Sequence, residues 1–369
     1  MQNDLLERIL DLAVAIQQIP APTFAEGQRA AFLREQFEAA GLSQVGCDKV
    51  GNVYGCVPGE GTAPALVVTA HLDTVFPIST DLSSRCEDER IYGPGIGDNC
   101  LGLAGLLGLV WALRLKKGKR RSLPGDLWLV ANVGEEGLGN LRGMQAVVDR
   151  FGKQVRAYLV LEGMALGQVY HRALGVQRYC ITVRTPGGHA WVDFGQPSAI
   201  HELGALITCL AGLPVPEKPR SSLNVGVISG GLSINTIAAE AFLELDLRSE
   251  EQATLQELVR QVETLANAAQ RPDVQVSLEV IGKRPSGSIP ANHPLVQLAQ
   301  RSLLAQGIQP NLTIGSTDAN VPLSRKLPAI CIGLSTGSGA HTQGEYVNTR
   351  PLAQGLAQLV MVVEELFRS

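Results

Sequence analysis

Three apolar runs in this chain each end in residues that can do acid, base or metal chemistry. Ala65-Leu66-Val67-Val68-Thr69-Ala70 leads into His71-Leu72-Asp73. Asp126 to Gly134 leads into Glu135-Glu136, and Ala157-Tyr158-Leu159-Val160-Leu161 leads into Glu162. Short β-rich apolar runs read as buried strands of a parallel sheet. Open α/β sheets bind their ligands beyond the C-terminal strand ends. Three strands therefore deliver one histidine and four carboxylates to one edge of one sheet. Crowded carboxylates repel one another unless protons or cations neutralise them, and the simplest neutraliser is a metal site.

Each piece also has a plainer reading. His71 and Asp73 lie two apart on the same side of an extended chain, so the imidazole can bind a metal while Asp73 serves a neighbouring group. Alone, the pair reads as a satisfied histidine at a strand end. Asp98, in Gly93-Pro94-Gly95-Ile96-Gly97-Asp98-Asn99, precedes an apolar helix; it suits a helix cap or a carboxylate shared by two metals. Glu135 and Glu136 point in opposite directions if their strand continues, so one can be a ligand and the other a general base acting on water. Otherwise they are solvated loop acids, as Glu162 would be. His341 follows Ser335-Thr336-Gly337-Ser338-Gly339-Ala340, a stretch lean enough to let the backbone approach a site. His171, His201 and His293 have no partner motif and read as ordinary core or surface residues. Oxygen and imidazole donors without cysteine suit Zn, Mn or Co, and two such ions sharing a carboxylate would sit roughly 3.5–4 Å apart.

The elements that must position these residues fall into an α/β pattern. Helices are expected at 3–18, 25–40, 101–116 and 139–151, and strands at 50–57, 64–70, 126–133 and 156–161. The middle of the chain differs. A strand at 177–185, a helix at 197–211, strands at 223–228 and 240–248, a helix at 250–269 and a strand at 274–280 give the order β-α-β-β-α-β of a ferredoxin-like sandwich. The last segment returns to the first type, with helices at 293–305 and 351–367 around the apolar run 327–334. The expected architecture is α/β: a mostly parallel sheet formed by 1–173 and 286–369, interrupted by an inserted ferredoxin-like α+β module at 174–285. A length of 369 residues suits two domains.

Composition excludes several classes. A net charge of −4 offers no attraction to nucleic acid or anionic lipid. The basic run Lys116-Lys117-Gly118-Lys119-Arg120-Arg121 reads as cations at a helix C-terminus and turn. The apolar stretch Leu101–Leu113 is too short to cross a bilayer, so no membrane contact is expected. The N-terminus lacks the features of a secretory signal. Seven widely spaced cysteines, an odd number without a C-x-x-C, suit reduced thiols and a cytoplasmic setting.

At the acids and histidines the sequence resembles the M20 family of dinuclear metallopeptidases and amidohydrolases. The matching stretches are Ala70-His71-Leu72-Asp73-Thr74-Val75, Gly93-Pro94-Gly95-Ile96-Gly97-Asp98, Gly134-Glu135-Glu136-Gly137, the strand-end Glu162, and His341 with Glu345 after it. Their order and spacing, across nearly the whole chain, make the likeness specific. It implies a zinc-exopeptidase-like catalytic domain with a lid that also forms a homodimer. It implies two divalent ions, zinc foremost, with cobalt or manganese as alternatives. His71 and Glu162 would hold one, Glu136 and His341 the other, and Asp98 would bridge them. Asp73 would orient His71, and Glu135 would be the general base for a water between the metals. From the lid, His189 would stabilise the oxyanion, while Asn235 and Arg248 would bind a substrate carboxylate. Gly315-Ser316-Thr317-Asp318-Ala319-Asn320 resembles a substrate-side loop.

The implied activity is hydrolysis of a peptide or amide bond in a small peptide or N-acyl amino acid with a free carboxylate. A strand-end glutamate, Glu162, favours the carboxypeptidase and deacylase side of the family. The loop Gly315 to Val321 keeps a tripeptide or dipeptide aminopeptidase open, and a non-catalytic binding protein on the same fold is the alternative from another class. The chain departs from the family at Asp98-Asn99-Cys100-Leu101, where an Asp-x-Lys-Gly is common. The resemblance also implies a cis peptide after Asp98.

Overall fold

The computed structural model describes residues 2–115 and 122–368, so the basic run Lys116–Arg121 lies outside the described residues. The chain divides into two compact units, Met1–Ala173 with Ser288–Ser369, and Leu174–Gly287.

In the first unit the sheet runs in the order Ser43–Cys47, Val53–Val57, Leu127–Asn132, Ala65–His71, Val155–Glu162, Ala329–Gly333 and Gln168–Ala173. The four strands in the middle of that order are parallel to one another. They are also the apolar runs. Leu66, Val67, Val68, Leu129, Val130, Leu159, Val160, Ile330 and Ile332 are all fully buried, as strands covered on both faces must be. Because the four strands point the same way, the residues at their C-terminal ends share one edge: His71, Asn132, Glu162 and Gly333.

A helix of almost unbroken apolar sequence, Leu101–Leu115, packs on this sheet between the helices Gln2–Gln17 and Leu352–Arg368. Two of its glycines let neighbours come close. A Cβ at Gly105 would meet Leu334 Cδ1 at 2.1 Å, and one at Gly108 would meet Ile9 Cδ1 at 2.6 Å. The wide turn Ile96–Cys100 leads into this helix, but Asp98 and Asn99 within the turn have non-helical backbone angles, so the continuous helix is the 15-residue Leu101–Leu115. The apolar stretch Leu101–Leu113 lies inside that helix, which is shorter than a membrane span needs. Only when the turn is counted in does the segment, Ile96–Leu115, reach a length and composition that could cross a membrane, and 89% of its apolar window is buried inside the protein.

The second unit is a four-stranded antiparallel sheet in the order Ser221–Gly230, Glu240–Ser249, Gly175–Arg184, Gln275–Arg284. With the helices Ala199–Ala211 and Gln252–Ala268 between its strands, this is the ferredoxin-like arrangement. Ala241, Leu243, Leu245 and Leu247 face the helices and are at most 1% exposed, whereas Glu240 and Glu244 on the opposite face are exposed. Period two along one strand is sufficient to sort them.

Several boundaries shift for local reasons. The second strand begins at Val53 rather than 50, because Asp48 Oδ1 accepts the N–H groups of Val50, Gly51 and Asn52, each at 3.0 Å, and holds them in a turn. The helix expected from 139 begins at Arg142, since Asn140 and Leu141 are left-handed, with φ of 54° and 58°. The strands Gln168–Ala173 and Asn311–Gly315 were not expected. His171, in the first of them, is buried, and its Nδ1 lies 2.7 Å from the Ile289 carbonyl.

Candidate metal centre

The strand Ala65–His71 ends with His71 fully enclosed, at 1% exposure. Its Nδ1 bonds the Asp73 carbonyl oxygen at 3.0 Å, which leaves Nε2 aimed at two carboxylates. Asp98 Oδ1 lies 3.1 Å from that nitrogen and Glu162 Oε2 lies 3.8 Å from it. On the other side of Asp98, Oδ2 is 3.1 Å from His341 Nε2, and the same nitrogen is 3.1 Å from Glu136 Oε1. Asp98 thus turns one carboxylate oxygen toward each histidine. Among the described residues, three groups could hold a metal ion: His71 with Asp98 and Glu162, Asp98 with Glu136 and His341, and His71 with Glu135 and Glu136.

The expected ligand positions His71, Asp98, Glu136, Glu162 and His341 are all brought together here, and Glu135 lies among them. Both adjacent glutamates are buried, at 6% and 5% exposure, which removes the solvated-loop reading. Asp73 contacts His71, in line with the expectation, but by an unexpected atom. It reaches His71 through its main-chain carbonyl, while its carboxylate lies 3.7 Å from Nδ1. That carboxylate instead accepts the N–H groups of Glu135 and Glu136, each at 2.9 Å, and the Thr23 hydroxyl at 2.8 Å. One aspartate therefore fixes both the histidine and the glutamate pair.

Burial and mutual charge shift His71, Asp98, Glu162 and His341 in ways that expose the shortage of positive charge. Burial drives the His71 imidazole down, but Asp73, Asp98 and Glu162 outweigh it and hold it well above its ordinary value. Burial works against the Asp98 carboxylate too, yet His341 and His71 keep it far below the usual range. His341, between Asp98 and Glu136, is lifted to about 10. Burial pushes Glu162 up to about 7 against the pull of His71. Two imidazoles cannot neutralise the five carboxylates of Asp73, Asp98, Glu135, Glu136 and Glu162. The donor set of imidazole nitrogens and carboxylate oxygens, with Asp98 shared, fits two hard-to-borderline divalent cations.

Three supporting residues escaped sequence reasoning. Glu345 stood in the matching stretch without a role. Its buried carboxylate accepts the N–H groups of Gly95 at 2.9 Å, and of Gly97 and Asp98 at 2.8 Å each, and so shapes the loop that presents Asp98. Burial lifts this carboxyl to about 7, and the three N–H groups oppose the rise. Arg29, 1% exposed, donates to the Leu72 carbonyl at 2.7 Å. Asn132 donates to Asp318 Oδ2 at 2.7 Å, tying the loop around Asp318 to the strand Leu127–Asn132. Only the position of Glu345, a lone acid four residues after His341, offered a signal in the sequence. The Asp98–Asn99 peptide is cis, and Asn99 donates to the Leu161 carbonyl at 2.8 Å. Cys100, where the family lysine would stand, is fully buried and its thiol is pushed up to about 11 by that burial.

His189, Asn235 and Arg248 belong to the second unit. His189 and Asn235 share a two-stranded ladder, in which His189 pairs with Thr236 and the Ala190 N–H reaches the Asn235 carbonyl at 3.0 Å. Arg248 donates through Nε to Asp246 at 2.7 Å, and Arg178 holds the other oxygen of the same carboxylate at 2.8 Å. Arg248 is therefore anchored rather than a lone charge on the open face.

The model of peptidase family M20/M25/M40 matches residues 67–365. A succinyl-diaminopimelate desuccinylase of Corynebacterium glutamicum is 24% identical over 98% of each chain. A tripeptidase structure from Staphylococcus aureus superposes with a TM-score of 0.82 at 23% identity, covering 99% of both chains. A Bacillus subtilis structure described as a dinuclear metal-binding peptidase of family M20 superposes at 0.71 with 15% identity, over 100% of this chain and 99% of that one. The chain belongs to peptidase family M20/M25/M40 and is a hydrolase of that family.

Proposed function

We propose that this M20 hydrolase uses two divalent ions to cleave a peptide or amide bond in a small substrate carrying a free carboxylate, in the manner of a carboxypeptidase or N-acyl-amino-acid deacylase. The observation that carries the reading is Asp98, with one oxygen 3.1 Å from His71 Nε2 and the other 3.1 Å from His341 Nε2. His71 and Glu162 would hold one ion, His341 and Glu136 the other, and Asp98 both. When bound, the ions polarise the scissile carbonyl and make a water nucleophilic at neutral pH.

The chain's own residues do the rest. Glu135 takes a proton from the attacking water as its oxygen bonds the carbonyl carbon, then passes that proton to the amine as the C–N bond breaks. The Asp73 carboxylate holds the Glu135 and Glu136 amides, so base and ligand keep their spacing through the proton transfer. His189 would donate a hydrogen bond to the oxyanion. Asn235 and the free edge of the Arg248 guanidinium, fixed by Asp246, would receive the substrate carboxylate. We assign the ions as zinc, with cobalt or manganese as substitutes, and the active species as a homodimer formed through the second unit.

The desuccinylase relative, alike over 98% of the chain, supports an N-acyl substrate. Glu162 at the strand end supports the same side. The experiment is a panel of N-acyl amino acids, N-blocked dipeptides and free tripeptides, each assayed with zinc, cobalt and manganese. Cleavage of acylated substrates only is the expected result. Turnover confined to free tripeptides would replace this reading with an aminopeptidase, and no turnover of any would refute both.

A further inference from the structure

His189 sits on a loop that its neighbours do not hold by packing. His189 is exposed, and Trp191, Val192 and Phe194 are 86%, 75% and 90% exposed. What fixes the loop is polar. The Asp193 carboxylate accepts the His189 N–H at 2.7 Å, and the Asp193 N–H returns to the His189 carbonyl at 2.9 Å. Inside the turn closed by that pair, His189 Nδ1 accepts two main-chain N–H groups, from Trp191 at 3.2 Å and Val192 at 3.3 Å. The turn also needs Gly188, whose φ is 152° and whose absent Cβ would lie 2.8 Å from Asp193 Oδ2.

A nitrogen that accepts two N–H groups presents its lone pair, so the ring hydrogen stands on Nε2. We propose that Asp193 is a positioning residue for the hydrolysis, closing the 189–193 turn so that the main chain itself locks His189 in the Nε2–H tautomer as a hydrogen-bond donor. This rests on the reading of His189 as the oxyanion donor, and it adds what makes that residue a donor in one direction only. With Nδ1 occupied, His189 presents no lone pair to a metal or to a proton on the substrate. Its one outward group is an N–H of the kind that a developing negative oxygen needs. Free rotation of the ring would spend part of the time with a lone pair facing that oxygen and repelling it.

The same molecule supplies a control. His293 caps the helix Pro294–Leu304 by accepting the Leu295 N–H on Nδ1 at 3.2 Å, so it shares the tautomer but lies far along the chain from Asp193.

The experiment uses the full chain with histidine labelled by nitrogen-15, and long-range nitrogen–proton correlation spectra at pH 8. His189 and His293 are expected to show an unprotonated Nδ1 and a protonated Nε2, with signals identified by their loss in H189A and H293A. In D193A the His189 pattern collapses toward a tautomer average while that of His293 stays. With the substrate identified by the panel above, kcat falls roughly 10- to 100-fold, with KM within about threefold. D193N keeps an acceptor oxygen for the His189 N–H and is expected to restore both the spectrum and most of kcat. A wild-type His189 with its hydrogen on Nδ1, or a D193A enzyme with wild-type kcat, overturns the proposal. Wild-type kcat in H189A overturns the reading beneath it, whatever the tautomer.

Discussion

Changing Glu345 to glutamine isolates the loop that presents Asp98. The wild-type carboxylate serves three buried N–H groups, with Oε1 taking those of Gly97 and Asp98 and Oε2 taking that of Gly95. Glutamine has one acceptor oxygen. It keeps the first two bonds by facing its oxygen to Gly97 and Asp98, and it then turns an NH₂ donor against the Gly95 N–H. At a pH above the value of about 7 to which burial lifts this carboxyl, its bonds are those of a charged acceptor, which contribute about 1.5–3 kcal/mol, whereas neutral ones contribute about 1. The two retained bonds therefore lose about 1 kcal/mol each, and the third costs about 2 more through an unsatisfied N–H. The total, near 4 kcal/mol, corresponds to roughly a thousandfold rise in the open form of the loop. Glu345 lies in the last part of the chain and is not expected to bind metal itself, so the effect should appear as weaker binding and not as a lost site. The assay is competition for zinc against a chromophoric chelator, with amide hydrogen exchange at Gly95, Gly97 and Asp98 read in parallel. Expected are two ions per chain at saturation, at least tenfold weaker binding and faster exchange at those three amides. Wild-type zinc affinity with wild-type exchange in E345Q would refute the argument.

Other outcomes follow from the same geometry. Glu135→Gln should lower kcat by roughly 10²- to 10⁴-fold while metal content stays at wild type; retained turnover would remove Glu135 as the base. His71→Ala and His341→Ala should each reduce bound metal, measured by elemental analysis at limiting metal, because each removes a nitrogen from only one side of Asp98; unchanged stoichiometry in both would exclude them as ligands. Gly163→Ala places a Cβ 2.2 Å from the Gly97 carbonyl and should destabilise the protein by about 1–3 kcal/mol in urea unfolding. Burial pushes the Asp246 carboxyl up, but Arg248 and Arg178 outweigh it and hold it below its ordinary value. A lowered carboxylate stabilises the folded state above its unfolded pKa and loses that contribution as pH falls through the folded one. Asp246→Asn should therefore flatten the acid side of the stability profile, and an unchanged slope below pH 4 would show that the pair contributes nothing.

The long regular elements were legible because each carries one dominant pattern. The four parallel strands are continuous apolar runs, and the strand Glu240–Ser249 alternates cleanly, so their faces could be assigned from sequence. The candidate metal cluster was legible because most of its acids stand where such runs stop. What sequence hid depends on distant partners. Gln168–Ala173 alternates with too many polar residues to declare itself, and becomes a strand by pairing with Ala329–Gly333 and Asn311–Gly315. Glu345 has no periodic neighbours and gains its role from amides about 250 positions earlier. Asp73 looked like a partner for the His71 ring alone, because spacing shows which side chains are near and not which backbone amides they will accept.

The interruption of the first unit by Leu174–Gly287 also sets a timetable for the protein as it is made. His71, Asp98, Glu135, Glu136 and Glu162 leave the ribosome well before His341 and Glu345. At ordinary elongation rates of about 5–20 residues per second, the early acids wait on the order of tens of seconds for the residues that complete them. During that wait the second unit, whose own contacts are local to it, can mature. On the proposed ligand set, the nascent chain would then carry the residues of one ion's site, His71, Asp98 and Glu162, before His341 completes the other. Hydrolysis would have to await the last segment of the chain, which brings His341.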